Sequence, residues 1–72
     1  MFAKSEAITM QLSGVHDAAT RRAATAVLRQ IDGVRSVSVD RHSAMAVVSF
    51  RPDKTTVPAL TKALADAGFS VI

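Results

Sequence analysis

His16 and Asp17 are adjacent in the run Ser13-Gly14-Val15-His16-Asp17-Ala18-Ala19-Thr20, and His42 lies in the run Arg41-His42-Ser43-Ala44. An imidazole beside a carboxylate suits a borderline divalent ion such as Zn(II), Cu(II) or Ni(II). His42 would add a third protein ligand to His16 and Asp17, with water filling the open positions. A competing role for Asp17 is the N-cap of a helix, where its carboxylate accepts free amide hydrogens of the first turn. The helix dipole places partial positive charge at that end, and Arg21 and Arg22 add to it, so a bound cation is opposed. Thr20 falls on the same helical stripe as Ala24 and Ile31, so it reads as packing at the core's edge rather than as a ligand.

Other chemistries have less to stand on. Ser13 or Ser43 with a histidine and an aspartate makes a triad on paper, but nothing supplies a strained nucleophile turn or an oxyanion hole. An enzyme is not expected. The chain has no cysteine. That excludes a disulfide framework, a zinc–cysteine site and a cysteine nucleophile together. Met10 alternates with Ile8 and Leu12 and reads as core, where a flexible thioether fills gaps well.

These residues must be positioned by a small chain of 72 residues, read as one domain over 1–72. A domain this small buries only about 60% of the surface its unfolded chain exposes. The apolar share is 49% with three aromatic residues, so the core is expected to be small and aliphatic. The net charge of +3 rests on dispersed arginines; Arg21 and Arg22 form the only basic pair in a helical stretch and read as a solvated face. No basic stripe is interleaved with aromatics, so no nucleic-acid partner is expected. No apolar run approaches the roughly 20 residues of a membrane helix, so no direct membrane insertion is expected. The start, Met1-Phe2-Ala3-Lys4-Ser5-Glu6, is polar and too short for a signal peptide. The expectation is a cytoplasmic protein, or a piece of a larger one.

Ile8, Met10 and Leu12 alternate with polar residues, which marks a half-buried strand. Gly14 breaks it. Ala24, Val27, Leu28 and Ile31 then line one face of a helix that Asp17 opens and Gly33 closes as the residue after the C-cap. Val34 to Asp40 reads as a second strand with Val37 and Val39 inward. A polar turn leads to a third strand with Ala46, Val48 and Phe50 inward, completing a hairpin. Thr55 or Thr56 can cap a second helix, with Pro58 in its first turn. Its apolar stripe is read as Val57, Leu60, Ala63, Leu64 and Ala67. Gly68 ends it, and Phe69 and Val71 begin a fourth strand. The order β-α-β-β-α-β gives an α+β, ferredoxin-like open-faced sandwich: a four-stranded antiparallel sheet with both helices on one face. Thr9, Gln11, Ser36, Ser38 and Ser49 suit the open face, with Met45, Val47 and Ile72 its only apolar residues. The absence of an aromatic pair there argues against RNA recognition.

At this point the chain resembles the heavy-metal-associated domain family, which includes small copper chaperones and the amino-terminal domains of metal-transporting P-type ATPases. Gly14-Val15-His16-Asp17-Ala18-Ala19-Thr20 falls where the family carries Gly-Met-Thr-Cys-x-x-Cys. Gly33-Val34-Arg35-Ser36-Val37-Ser38-Val39-Asp40 is similar to its Gly-Val-x-x-Val-x-Val-Asp. Ala46 to Phe50, Pro52 and Leu60 to Phe69 also fit, without a gap from Ile8 onward. The resemblance implies the fold, a role in metal transport, and a metal-transporting P-type ATPase or other protein as partner. It puts the two family thiolates on Asp17 and Thr20 and its methionine on Val15. Phe69 alone keeps a family role, an aromatic packed beside the metal loop. Thiolates suit Cu(I); a carboxylate and a hydroxyl do not replace them, so Cu(I) is not expected as cargo. Two readings follow. The first is a metal-handling domain whose degenerate site holds at most a divalent ion weakly. The second is a metal-free interaction module that kept the fold, for instance pairing through an edge strand at Val34 to Asp40.

Overall fold

A computed structural model describes residues 5–40 and 42–72. Met1 to Lys4, and Arg41 of the hairpin turn, lie outside the described residues. The elements are β1 (Glu6–Ser13), α1 (Ala18–Arg29), β2 (Val34–Val39), β3 (Met45–Phe50), α2 (Val57–Asp66) and β4 (Ser70–Val71). The sheet order is β2-β3-β1-β4, antiparallel throughout, so β2 is an edge strand as expected. This is the ferredoxin-like α+β sandwich expected from the alternation of periods.

Register decides which side chains meet the helices. Ile8 pairs with Val48 and Met10 with Ala46, while Val37 and Val39 of β2 pair with the same two residues of β3. That shared face packs on Ala24 and Leu28 of α1 and Leu60 and Leu64 of α2. Met10 is buried, as its alternation implied. On the opposite face Thr9 pairs with Val47, Gln11 with Met45 and Ser38 with Val47. Val47 and Ile72 are exposed at 46% and 81%, whereas Met45 is half-buried. Ala7, paired with Ser49, shares this face, so the apolar residues there are not only the three expected.

Several local expectations are corrected. Helix α1 stops at Arg29 with Gln30 as its C-cap, so Gly33 is not its closing residue. Two short turns follow, through Ile31 N–H to Leu28 O and Val34 N–H to Ile31 O, each at 3.1 Å. Gly33 is needed for another reason. Its φ is +103°, and a Cβ there would lie 2.6 Å from Cβ of Lys54. At α2 the cap is Thr56, which leaves Thr55 buried. Val57 is 40% exposed and Ala67 is the exposed C-cap, so neither belongs to the α2 stripe. The helix turns its buried face inward only from Leu60. Gly68, at φ +94°, closes α2 as expected, with Phe69 N–H bonded back to Leu64 O at 2.8 Å. This is the Schellman arrangement. Between Val34 and Ser36 a bulge leaves Arg35 without a partner on β3.

Two substitutions test this account by urea unfolding. Leu28→Ala, at a fully buried position, should lose roughly 2–5 kcal/mol through the cavity it opens. Gly33→Ala should lose about 1–3 kcal/mol from backbone strain and the Lys54 clash. A loss below about 0.5 kcal/mol in either, within the range of ordinary surface changes, would overturn the packing assigned there.

Candidate metal loop and its capping box

The loop between β1 and α1 is shaped by three features. Gly14 takes φ +97°, and a Cβ there would stand 3.4 Å from Cδ1 of Phe69. The aromatic ring therefore lies against the loop, as the family resemblance implied. Val15 follows and is buried in the core, a role the sequence did not suggest. His16 and Asp17 then emerge, with side-chain exposures of 74% and 55%.

Asp17 caps α1, and Thr20 answers it. Asp17 Oδ1 accepts from Thr20 N–H at 2.8 Å, and the Thr20 hydroxyl donates to the same oxygen at 2.8 Å. Thr20 Oγ1 in turn accepts from the backbone N–H groups of His16 at 3.0 Å and Asp17 at 3.1 Å. This reciprocal arrangement is a capping box, which satisfies donors at the helix start that would otherwise lack partners. Reading Thr20 only as core-edge packing missed its hydroxyl; the spacing Asp17-x-x-Thr20 was the available signal. The Thr20 amide, and next its hydroxyl, hold the Asp17 carboxyl below the ordinary carboxylate range, with a smaller contribution from His16.

The second carboxylate oxygen faces away from the cap. Asp17 Oδ2 lies 3.9 Å from His16 Nε2, beyond hydrogen-bond reach. Ligand bonds of about 2.0 Å to nitrogen and 2.0–2.2 Å to oxygen around a tetrahedral ion separate two donors by roughly 3.3 Å. A small side-chain rotation would bring the pair to that span.

His42 does not join them. Its N–H donates to Asp40 Oδ1 at 2.8 Å, and this amide holds the Asp40 carboxyl below its ordinary value. The hairpin tip does reach the end of β1, through Leu12 N–H to Ala44 O at 2.8 Å and the Gln11 side-chain amide to Ser43 O. But the tip hangs from β3 on one side of β1, while Gly14 turns against Phe69, which leads into β4 on the other. Among the described residues, no three of His, Cys, Asp and Glu come together as a group that could hold a metal ion.

The chain matches the heavy-metal-associated domain model over residues 9–70. It belongs to that family. Curated relatives include the periplasmic component of the mercuric transport protein from Pseudomonas aeruginosa, 33% identical over 96% of this chain and 76% of that protein. The corresponding protein of Shigella flexneri is 35% identical with the same coverage. Among solved structures, oxidized MerP from Ralstonia metallidurans CH34 superposes with a TM-score of 0.91 at 32% identity, covering 96% of both chains. A copper binding domain from HMA7, a P-type ATPase, superposes with a TM-score of 0.88 at 27% identity, covering 92% of this chain and 89% of that one. By name these relatives are components of mercuric transport proteins and a copper binding domain of a P-type ATPase. Asp17 and Thr20, which the resemblance puts at the thiolate positions, bond to each other instead.

The capping box has a measurable pH signature. Because the Asp17 carboxyl titrates lower in the folded chain than in the unfolded one, its contribution is full above the ordinary carboxylate pKa of 3.8 and fades as pH falls through the lowered value. Asp17→Asn keeps a cap but has no charge to lose, so its stability should fall less steeply with acid than that of the parent chain. Asp17→Ala should lower the melting temperature at neutral pH as well. Identical acid profiles for the parent and Asp17→Asn would remove the ionised cap from the account.

Proposed function

We propose that this chain is a metal-handling domain of the heavy-metal-associated family whose loop has exchanged thiolate chemistry for a weak imidazole–carboxylate site. The observation that carries the reading is the geometry at the two thiolate positions. Asp17 spends one oxygen on the cap and keeps Oδ2 facing His16 Nε2 at 3.9 Å. A neutral imidazole and one carboxylate oxygen fit Zn(II), Cu(II) or Ni(II), with water completing the coordination. Cu(I) lacks the soft ligands it requires. With two protein ligands, and the helix dipole opposing a cation, the site holds its ion loosely. His42 is a third donor only if the hairpin tip moves toward the loop. The family's P-type ATPase domains support a metal-transporting ATPase as partner. A cytoplasmic setting belongs to the proposal, although the mercuric relatives are periplasmic components by name. Cell fractionation decides between these compartments.

A second reading is favoured by the capping box itself. A loop whose polar groups are already satisfied has no need of an ion, which suits a metal-free interaction module on the same fold.

NMR titration of the labelled chain with Zn(II), Cu(II), Ni(II) and Cu(I) separates the two. The first reading expects saturable shifts at His16, Asp17 and Phe69 with a divalent ion, no response to Cu(I), and loss of the response in His16→Ala. His42→Ala should leave a two-residue site intact and weaken a three-residue one. Flat spectra through millimolar concentrations of every ion would retire the metal site and leave the interaction module.

A further inference from the structure

Strand β1 outruns the strand that flanks it on one side. β3 pairs with β1 from Glu6 to Gln11, whereas β4 pairs only with Leu12 and Ser13. Successive residues of an antiparallel strand turn their N–H and C=O groups alternately to the two neighbouring strands. Leu12 N–H donates to Ala44 O at 2.8 Å, just before β3, so the even residues of β1 face β3. Gln11 O accepts from Ile72 N–H at 2.8 Å, so the odd residues face β4. Ala7 and Thr9 therefore aim their N–H and C=O groups past the end of β4. No strand among the described residues lies on that side of Glu6 to Met10, and both Ala7 and Thr9 are exposed.

The opposite edge of the sheet is guarded and this one is not. Along β2 a bulge between Val34 and Ser36 interrupts the ladder at the exposed Arg35. Bulges and charged side chains on an edge discourage pairing with another chain. From Ala7 to Met10 there is no charge, no proline and no bulge. Ile72, opposite Gln11, closes the gap at one end. The space fits an extended segment of about five residues, a length of roughly 17 Å. The same stretch of a second copy has that length and the matching groups. Run antiparallel about a two-fold axis at Ile8, Ala7 of each copy faces Thr9 of the other. Each of these residues carries one N–H and one C=O, so all the outward groups pair. Such a contact is isologous, as two-fold dimers require. Glu6 of each copy then lies opposite Met10 of the other, which keeps the two carboxylates apart. On the open face, the cross-strand row of Val47 and Thr9 continues into Ala7 and Ser49 of the second copy.

We infer that the outward edge of β1, from Glu6 to Met10, is a self-association surface through which two copies of this chain join their four-stranded sheets into one about Ile8. The inference rests on neither reading of the loop, since it uses neither His16 nor a bound ion. An interface built on two short strands lies below the size of stable complexes, so the dimer forms at high concentration.

The test is sedimentation equilibrium of the chain in EDTA, over about a hundredfold range of concentration reaching millimolar, where so small an interface associates. Amide hydrogen exchange is read by NMR at both ends of the range. The expected result is a monomer–dimer equilibrium in which the Ala7 and Thr9 amides gain protection with concentration. Those of Ile8 and Met10, already turned to β3, should change little. Ala7→Lys/Thr9→Lys sets like charges opposite each other in both cross-strand pairs and should weaken association about tenfold. Ala7→Lys/Thr9→Glu sets opposite charges in the same register and should restore it. Both variants alter only exposed side chains, and circular dichroism checks their folding. Should either fail to fold, the exchange pattern of the parent chain decides. A monomer through millimolar concentration, equal gains at Ile8 and Thr9, protection gathered at Val34 to Val39, or a dimer undisturbed by the paired lysines would overturn the inference. A flat metal titration at His16 leaves this result untouched, and the reverse is equally true.

Discussion

One-sided burial of a four-stranded sheet is the constraint from which the rest follows. Without a disulfide or a thiolate-bound metal, this chain depends on packing alone. The packing is concentrated on one face, where Leu12, Val48 and Phe50 meet Leu28, Leu60 and Leu64, each essentially removed from water. A side chain's fate is therefore set by the parity of its strand position or its angle on a helix. The other face of the sheet, the outer flanks of the helices and the loops at the ends are left free of the core. Whatever the domain recognises must lie outside the core, as the loop with His16 and the bare edge of β1 both do.

The capping box links the core to that surface. Leu28 and Ala24 can be buried only if α1 begins where it does, and it begins at Asp17 because Thr20 completes the hydrogen bonds of the first turn. Within the family resemblance the same two positions carry cysteines. Here they carry a pair that satisfies itself at 2.8 Å. The first turn of the helix is thus satisfied from within the chain.

Much of this was legible in the sequence, and the misses share a physical origin. Periods of two and 3.6 placed all six elements, and Asp17 and Gly68 marked real helix ends. Gly33 was misread because a left-handed glycine can close a helix or admit a neighbouring chain, and only the third dimension brings Lys54 against it. Val57 looked like part of the α2 stripe because the period does not say which turn first meets the sheet. The bulge at Arg35 leaves no trace in an alternating pattern. His42 was read as a third ligand to His16 and Asp17, but chain order alone does not give lateral position. That required the strand order, which sets the hairpin tip and the Phe69 side of the loop on opposite sides of β1.

The electrostatics of the loop and of α1 point in one direction. The start of α1 offers partial positive charge from its backbone amides, and Arg21 and Arg22 reinforce it one turn later. A cation at His16 and Asp17 must overcome that field with two hard or borderline ligands, one of them already committed to the cap through Oδ1. Where the resemblance puts thiolates, Asp17 and Thr20 therefore do more than leave out soft ligands: they complete the helix start without an ion. On this argument the field at the start of α1, with one Asp17 oxygen held by the cap, is what keeps any ion at His16 and Asp17 weakly bound.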